Sequence, residues 1–135
     1  MREQTFPATT EALNDAMAFV DETLEEAGCS MKVQMQIDIA VEEIFVNIAH
    51  YAYTPGTGDA VLRVELQENP RAVSITFEDR GVPYDPLAKE DPDVTLDAEE
   101  RQIGGLGIYM VKKSMDEVKY RHEDGKNILT LVKCL

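Results

Sequence analysis

The sequence predicts one α+β domain, a two-layer α/β sandwich with helices on one face of a mostly antiparallel mixed sheet. Two helical segments follow a short N-terminal strand, and two pairs of alternating strands follow them at 61–78 and 117–133. A long irregular stretch separates the two pairs. At 135 residues the chain is long enough for one core and too short for two, so we assign residues 1–135 to a single domain.

The composition of the chain limits its class and its partners. With 44% hydrophobic and 29% charged residues it is typical of globular proteins. The net charge of −13 disfavours binding to nucleic acid or to an anionic membrane, because both require basic surface. Two cysteines without metal-ligand spacing indicate a reduced, cytoplasmic setting, and we expect neither a signal peptide nor a membrane span.

The N-terminal elements are predicted from their end signals. Residues 4–8 indicate an edge strand, because the proline there cannot donate to a sheet ladder. We expect Thr9 or Thr10 to cap the first helix and Gly28 to end it. Ser30 then caps the second helix.

The second helix, over residues 31–53, carries polar groups inside an apolar pattern. Its predicted core stripe is formed by Val33, Ile37, Val41, Ile44 and Ile48, and we expect it to be packed on most of its circumference. A neighbouring line contains Gln36, Glu43, Asn47 and His50. These groups are either satisfied interior residues or part of a binding site.

The strands are predicted from strict alternation. Leu62, Val64 and Leu66 share one face of the strand 61–66, and Val73, Ile75 and Phe77 share one face of the strand 72–78. A short turn joins them into an antiparallel hairpin. A short helix over 108–115 precedes a second hairpin, 117–121 with 127–133, which turns at 123–125.

Asp79 ends the second of these strands and begins the segment Asp79-Arg80-Gly81-Val82-Pro83. A carboxylate held there accepts a hydrogen bond from an amine, so it suits the exocyclic amine of adenine and would repel the guanine carbonyl. Gly81 would let a flat ring approach the main chain. The alternative is an ordinary Asp-Gly turn.

Gly104-Gly105-Leu106-Gly107 opens the short helix. Unpaired backbone N–H groups at a helix start favour a phosphate, although such a segment is also compatible with simple flexible packing. It is not a Walker motif, since no GKS or GKT follows.

Taken in order, these segments resemble three motifs of the ATP-binding fold shared by gyrases, mismatch-repair ATPases and sensor histidine kinases. The motifs are Glu43 with Asn47, then Asp79-x-Gly81-x-Pro83, then Gly105-x-Gly107. EEIFVNIAHYAY, FEDRGVPYDP and ER-x-x-GGLGIYMVKKSMDEV are most similar to the anti-sigma-factor serine kinases of bacterial partner-switching systems. The resemblance covers essentially the whole chain and implies an ATP lid at about 82–103.

The resemblance also implies roles for individual residues. Asn47 looks like the Mg²⁺ ligand, and Glu43 looks like the general base that takes a proton from a substrate serine or water. His50 stands where relatives carry a basic phosphate contact. Arg101 resembles a lid arginine that meets the γ-phosphate, and its alternative is a bare surface arginine.

The remaining implied contacts bind the nucleotide. Asp79 and Gly81, with Pro83 in the same motif, look like the adenine readers, and the segment 104–107 looks like the phosphate loop. Relatives often place a threonine after the glycine of the last hairpin to bridge adenine, but here Lys126-Asn127 stand near that point. Asn127 or Thr130 could replace it.

Three functions are consistent with these residues. The first is an ATP- and Mg²⁺-dependent protein serine/threonine kinase that phosphorylates an anti-anti-sigma protein and sequesters a sigma factor. The second is a non-catalytic, ATP-gated regulatory module that binds a protein. The third is a structural domain without nucleotide, which the joint presence of three motifs disfavours. The resemblance also implies a homodimer.

Overall fold

The computed structural model describes residues 1–53, 56–88 and 105–135. Every helix and strand that the sequence predicts is present, in the predicted order. The elements are β1 (Arg2–Pro7), α1 (Leu13–Glu26), α2 (Met31–Asn47), β2 (Asp59–Gln67), β3 (Ala72–Asp79), α3 (Gly105–Ser114), β4 (Glu117–Glu123) and β5 (Lys126–Cys134). Of the predicted lid, the structure describes residues 82–88, which end in the 3₁₀ turn Pro86–Ala88.

The five strands form one sheet in the order β1-β2-β3-β5-β4, and each pair of neighbours is antiparallel. Both predicted hairpins are confirmed, β2 with β3 and β4 with β5. The second hairpin adds to the first through β5. This pairing puts Asp79 directly opposite Asn127, although the two are far apart in the chain.

The helices lie on one face of this sheet, so the predicted α+β architecture is confirmed. The largest fully buried side chains come from both layers and include Leu24, Ile37, Val41, Phe45, Leu62, Val64, Ile75, Phe77 and Leu131. Burial of each such side chain contributes about 1.5–3 kcal/mol. Leu66, predicted on the same face as Leu62 and Val64, is half-exposed near the end of β2.

The ends of α1 and α2 follow the predicted signals with one exception. Gly28 has φ +70°, a left-handed conformation that ends the helical path. Ser30 Oγ accepts a hydrogen bond from the backbone N–H of Val33 at 3.3 Å, as a cap does. The predicted threonine cap is wrong: Thr9 precedes the 3₁₀ turn Thr10–Ala12 and makes no side-chain cap hydrogen bond.

The prediction that α2 is packed on most of its circumference is confirmed, since most of its residues are buried or half-buried, but one stripe of the helix is exposed. Met31, Met35 and Ile39 recur every fourth residue and are 78%, 58% and 59% exposed. The sheet, α1 and α3 pack against its other sides. The helix also changes form at its end, where Ile48–Ala52 is π-helical.

Candidate functional site

A cavity of about 60 Å³ lies between the C-terminal end of the second helix and the ends of β3 and β5. Its lining is mainly apolar and aromatic, with Asn47, Asp79 and Asn127 as its polar groups. The lining residues are Ile44, Asn47, Ile48, Tyr51, Ala52, Phe77, Asp79, Val82, Tyr84, Pro86, Tyr120, Asn127 and Leu129. Such a lining with few placed polar groups is typical of small-molecule sites, although those are larger.

Asp79 reaches this cavity because of its register in β3. Residues 73, 75 and 77 face the helices, so the residue two positions on faces them too. Asp79 is only 6% exposed. Its Oδ1 accepts hydrogen bonds from the backbone N–H of Gly81 at 2.9 Å and from Asn127 Nδ2 at 2.9 Å.

Asn127 and Thr130, the two candidates to replace the adenine-bridging threonine of relatives, lie on opposite faces of the sheet. Asn127 faces inward with Leu129 and is 7% exposed. Thr130 faces outward, within hydrogen-bond distance of Thr76 (3.3 Å between the hydroxyl oxygens). Because side chains alternate along β5, Thr130 does not reach the cavity, and we leave it out of the site.

Glu43 and Asn47 are one helical turn apart on α2. Asn47 Nδ2 donates to Glu43 Oε1 at 3.4 Å, which leaves Asn47 Oδ1 as an acceptor. Burial raises the pKa of the Glu43 carboxyl, the Asn47 hydrogen bond lowers it, and the Glu42 charge raises it, with a net increase. A raised pKa suits a general base, because the carboxylate then takes a proton more readily.

Gly107 on α3 lies directly against Glu43. A side chain at this position would overlap the Glu43 carboxylate, so any other residue there would displace that carboxylate from its present position. The predicted base and one residue of the predicted phosphate loop are therefore neighbours. Gly105 and Leu106 begin α3 with Gly107, whereas Gly104 and Arg101 lie outside the described residues.

His50 is exposed and does not line the cavity, whereas Tyr51 does. The prediction assumed α-helical geometry, in which positions three residues apart share a face. The segment that follows Asn47 is π-helical, with more residues per turn. Tyr51, four residues after Asn47, therefore takes the place beside it, and the His50 ring lies edge-on to Tyr51 with 6.0 Å between centroids.

Gly81 has a different neighbour from the one that the sequence suggested. A side chain there would overlap the backbone carbonyl of Ala52, so this glycine lets the loop pack on the end of the second helix. The backbone N–H of Val82 donates to the same carbonyl oxygen at 2.7 Å. Pro83 is exposed and lies outside the cavity lining.

The sequence reasoning missed the aromatic lining, namely Tyr51, Tyr84 and Tyr120. Tyr84 had a local signal, since it directly follows the Asp79-x-Gly81-x-Pro83 motif. Tyr120 had none, because its place depends on the pairing of β4 with β5.

The donor set around Asn47 fits a metal ion that keeps most of its ligands from phosphates and water. Among residues 1–53, 56–88 and 105–135 there is no group of three or more His, Cys, Asp or Glu that could hold a metal by protein ligands alone. Mg²⁺ in nucleotide sites commonly takes one or two protein oxygens. Asn47 Oδ1 can serve as such a ligand.

Comparison with known families identifies the fold. A family model described as the histidine kinase-like ATPase domain matches residues 6–133. The chain belongs to this family. The predicted ATPase family and fold are thereby confirmed.

Similar proteins narrow the family further. The serine/threonine-protein kinase BtrW of Bordetella bronchiseptica is 29% identical over 129 residues, which cover 96% of this chain and 89% of BtrW. The serine-protein kinase RsbW of Listeria monocytogenes is 27% identical over 127 residues, which cover 91% of this chain and 80% of RsbW. These relatives are protein serine kinases, which confirms the predicted partner-switching kinase family and its enzyme class.

The sheet and helices also match a solved structure. A chain of the SiaB–SiaC complex of Pseudomonas aeruginosa aligns with a TM-score of 0.60 and 16% identity, and the alignment covers 100% of this chain and 90% of that one. At this identity the match supports the fold alone. Within the described residues, no helix has the length and apolarity needed to cross a membrane.

Proposed function

We propose that this protein is an ATP-dependent protein serine kinase that phosphorylates an anti-anti-sigma protein. We also propose that it sequesters a sigma factor. The observation that carries the proposal is the buried Asp79 carboxylate in an apolar cavity, with Asn47 in the same lining. The family match and the serine kinase relatives support it.

Each site residue has a proposed role. The Asp79 carboxylate accepts a hydrogen bond from the adenine amine, and the apolar lining excludes water from the adenine ring. Asn47 Oδ1 would hold Mg²⁺ in part, and the bound ion would supply positive charge to neutralise phosphate oxygens. Glu43 accepts the proton of the attacking serine hydroxyl, while the N–H groups of residues 104–107 and the Arg101 guanidinium stabilise negative charge.

The cavity of about 60 Å³ is smaller than ligand pockets, which commonly measure about 300–1,000 Å³. Tyr51 and Tyr84 are both substantially exposed and line it. We infer that side-chain movement of these two tyrosines opens the cavity to the adenine ring. The buried polar groups at its floor keep their positions, since β3 and β5 hold them.

Phosphoryl transfer tests the proposal. We expect labelled phosphate from [γ-³²P]ATP with Mg²⁺ to appear on a serine of an anti-anti-sigma protein. Glu43→Gln should lower the transfer rate by about 10²–10⁴-fold, the usual contribution of a general base, while ATP affinity changes little. Glu65→Gln is the matched control, because Glu65 is exposed on β2 and lies outside the cavity lining, and it should transfer at the wild-type rate.

A non-catalytic, ATP-gated module is the second candidate, and the same assay separates the two. Saturable ATP binding without label on the partner would favour the module and contradict the kinase. The sigma factor is tested by co-purification with and without ATP. A sigma-factor partner would also place the protein in the cytoplasm. Light scattering of the purified protein measures whether it is a homodimer.

A further inference from the structure

Asn127 has protein partners at both ends of its carboxamide. Its Nδ2 donates to Asp79 Oδ1 at 2.9 Å and to the backbone carbonyl of Val82 at 3.0 Å. Its Oδ1 accepts from the backbone N–H of Tyr84 at 3.3 Å and from the Tyr120 hydroxyl. A carboxamide has two donors and one acceptor oxygen with two lone pairs, so these contacts use its full capacity.

The partners also fix which way the carboxamide points. A backbone N–H can only donate, so the Tyr84 N–H requires the oxygen of Asn127 on its side. A backbone carbonyl can only accept, so Val82 requires the amino group on the other side. The amino group therefore faces Asp79, and the reversed orientation would lose contacts at both ends.

This orientation determines the hydrogen bonding of Asp79. Asp79 Oδ1 is occupied by two donors, Asn127 Nδ2 and the Gly81 N–H. Within the described part of the chain, Oδ2 receives no hydrogen bond from protein. Oδ2 therefore keeps its lone pairs available as an acceptor and is complementary to a ligand donor.

The same side chain holds the beginning of the predicted lid segment. It binds Val82 and Tyr84 on either side of Pro83, and Val82 is tied in turn to Ala52 at the end of the second helix. One carboxamide thus connects β5, the end of β3 and the first residues after it. Displacement of this side chain would disturb both the carboxylate and the cavity wall.

We propose that Asn127 is a positioning residue that sets base specificity: it occupies Asp79 Oδ1, leaves Oδ2 as an acceptor for the ligand, and holds the 82–84 segment as the cavity wall, without touching the nucleotide. This inference rests on the proposed nucleotide site. It assigns Asn127 a different role from direct adenine contact, since its polar atoms are already engaged by protein.

Base selectivity tests this role, because a merely structural residue would weaken ATP and GTP alike. Asn127→Asp replaces the donor that faces Asp79 by a carboxylate oxygen, so one of the two carboxyls is driven to take up a proton, and a proton on Asp79 Oδ2 would replace the acceptor by a donor to a guanine carbonyl. In Asn127→Ser the side chain is too short to contact Val82 and Tyr84. This substitution provides a second variant if the first does not fold. Thr130→Asp adds the same charge to the outer face of β5 and serves as the matched control.

Dissociation constants for ATP and GTP would be measured by calorimetry, with thermal melts as the check of folding. Wild type and Thr130→Asp should share one preference for ATP over GTP, and each Asn127 variant that folds should reduce this preference by about tenfold, the value of one such hydrogen bond. An unchanged preference in the Asn127 variants, or an equal loss in Thr130→Asp, would overturn the inference. Wild-type protein without ATP affinity would instead overturn the proposed function on which it rests.

Discussion

Asp79 and Asn127 are buried polar side chains that satisfy each other across two strands. Burying a carboxylate without partners is costly, so its place in an otherwise apolar cavity requires donors in fixed positions. The structure supplies them from Gly81 and Asn127. At the scale of single residues, the Asp79 carboxylate is therefore held by a backbone N–H and a carboxamide donor.

Gly81 provides a prediction about packing. In Gly81→Ala the added methyl group would overlap the Ala52 carbonyl, so the loop after β3 has to move away from the second helix. We expect the free energy of unfolding to fall by about 1–3 kcal/mol, as for other overpacked positions, and ATP affinity to fall with it. Urea denaturation measures the first effect. Arg80→Ala is the control, since Arg80 is exposed; equal stability of the two variants would contradict the close packing.

At the scale of secondary-structure elements, the contact between α1 and α2 includes the carboxyl groups of Asp21 and Asp38. Burial raises the pKa of Asp38 to about 7, and a hydrogen bond with Asp21 and the charges of Asp21 and Glu25 add to this increase. Asp38 lies on α2 and the other two lie on α1. The contact between these helices is therefore favoured when Asp38 carries a proton.

This acid pair predicts a pH dependence of stability. The folded-state pKa of Asp38 lies above its unfolded value, so the folded protein binds more protons between about pH 4 and 7. The contribution of Asp38 is favourable at low pH and is lost as pH rises through 7. Asp38→Asn keeps a neutral partner for Asp21, so it should gain stability over wild type at pH 8 and lose that advantage at pH 5.

Urea denaturation at both pH values measures this difference. Asp15→Asn is the control, because Asp15 is exposed on α1, and it should follow wild type at each pH. A constant difference between Asp38→Asn and wild type would show that Asp38 does not titrate in this range.

The sequence predicted the elements well, because helices and strands leave local periodic signals. It could not predict the change to π-helix after Asn47, which brings Tyr51 rather than His50 to the cavity. It also could not predict that Asn127 lies opposite Asp79, since 48 residues separate them and hairpin signals do not reveal how hairpins pair. Thr130 was compatible with the same local pattern until the register of β5 showed its direction.

At the scale of the whole molecule, some of the cations of this acidic chain pair with carboxylates of the sheet. Arg63 lies within hydrogen-bond distance of Glu3 at 2.5 Å and of Glu78 at 3.2 Å. Lys126 lies 3.7 Å from Glu78. The net charge of −13 disfavours binding to the phosphate backbone of a nucleic acid.

The central claim is that segments distant in the chain together bind an adenine nucleotide. Calorimetric titration of wild type and Asp79→Asn with ATP and Mg²⁺ tests it most directly, because the substitution keeps the size of the side chain and turns its free acceptor into a donor. We predict saturable binding to wild type and a loss of at least about tenfold in Asp79→Asn, with an unchanged fold by circular dichroism. Equal affinity of the two proteins, or no saturable binding to wild type, would contradict the claim.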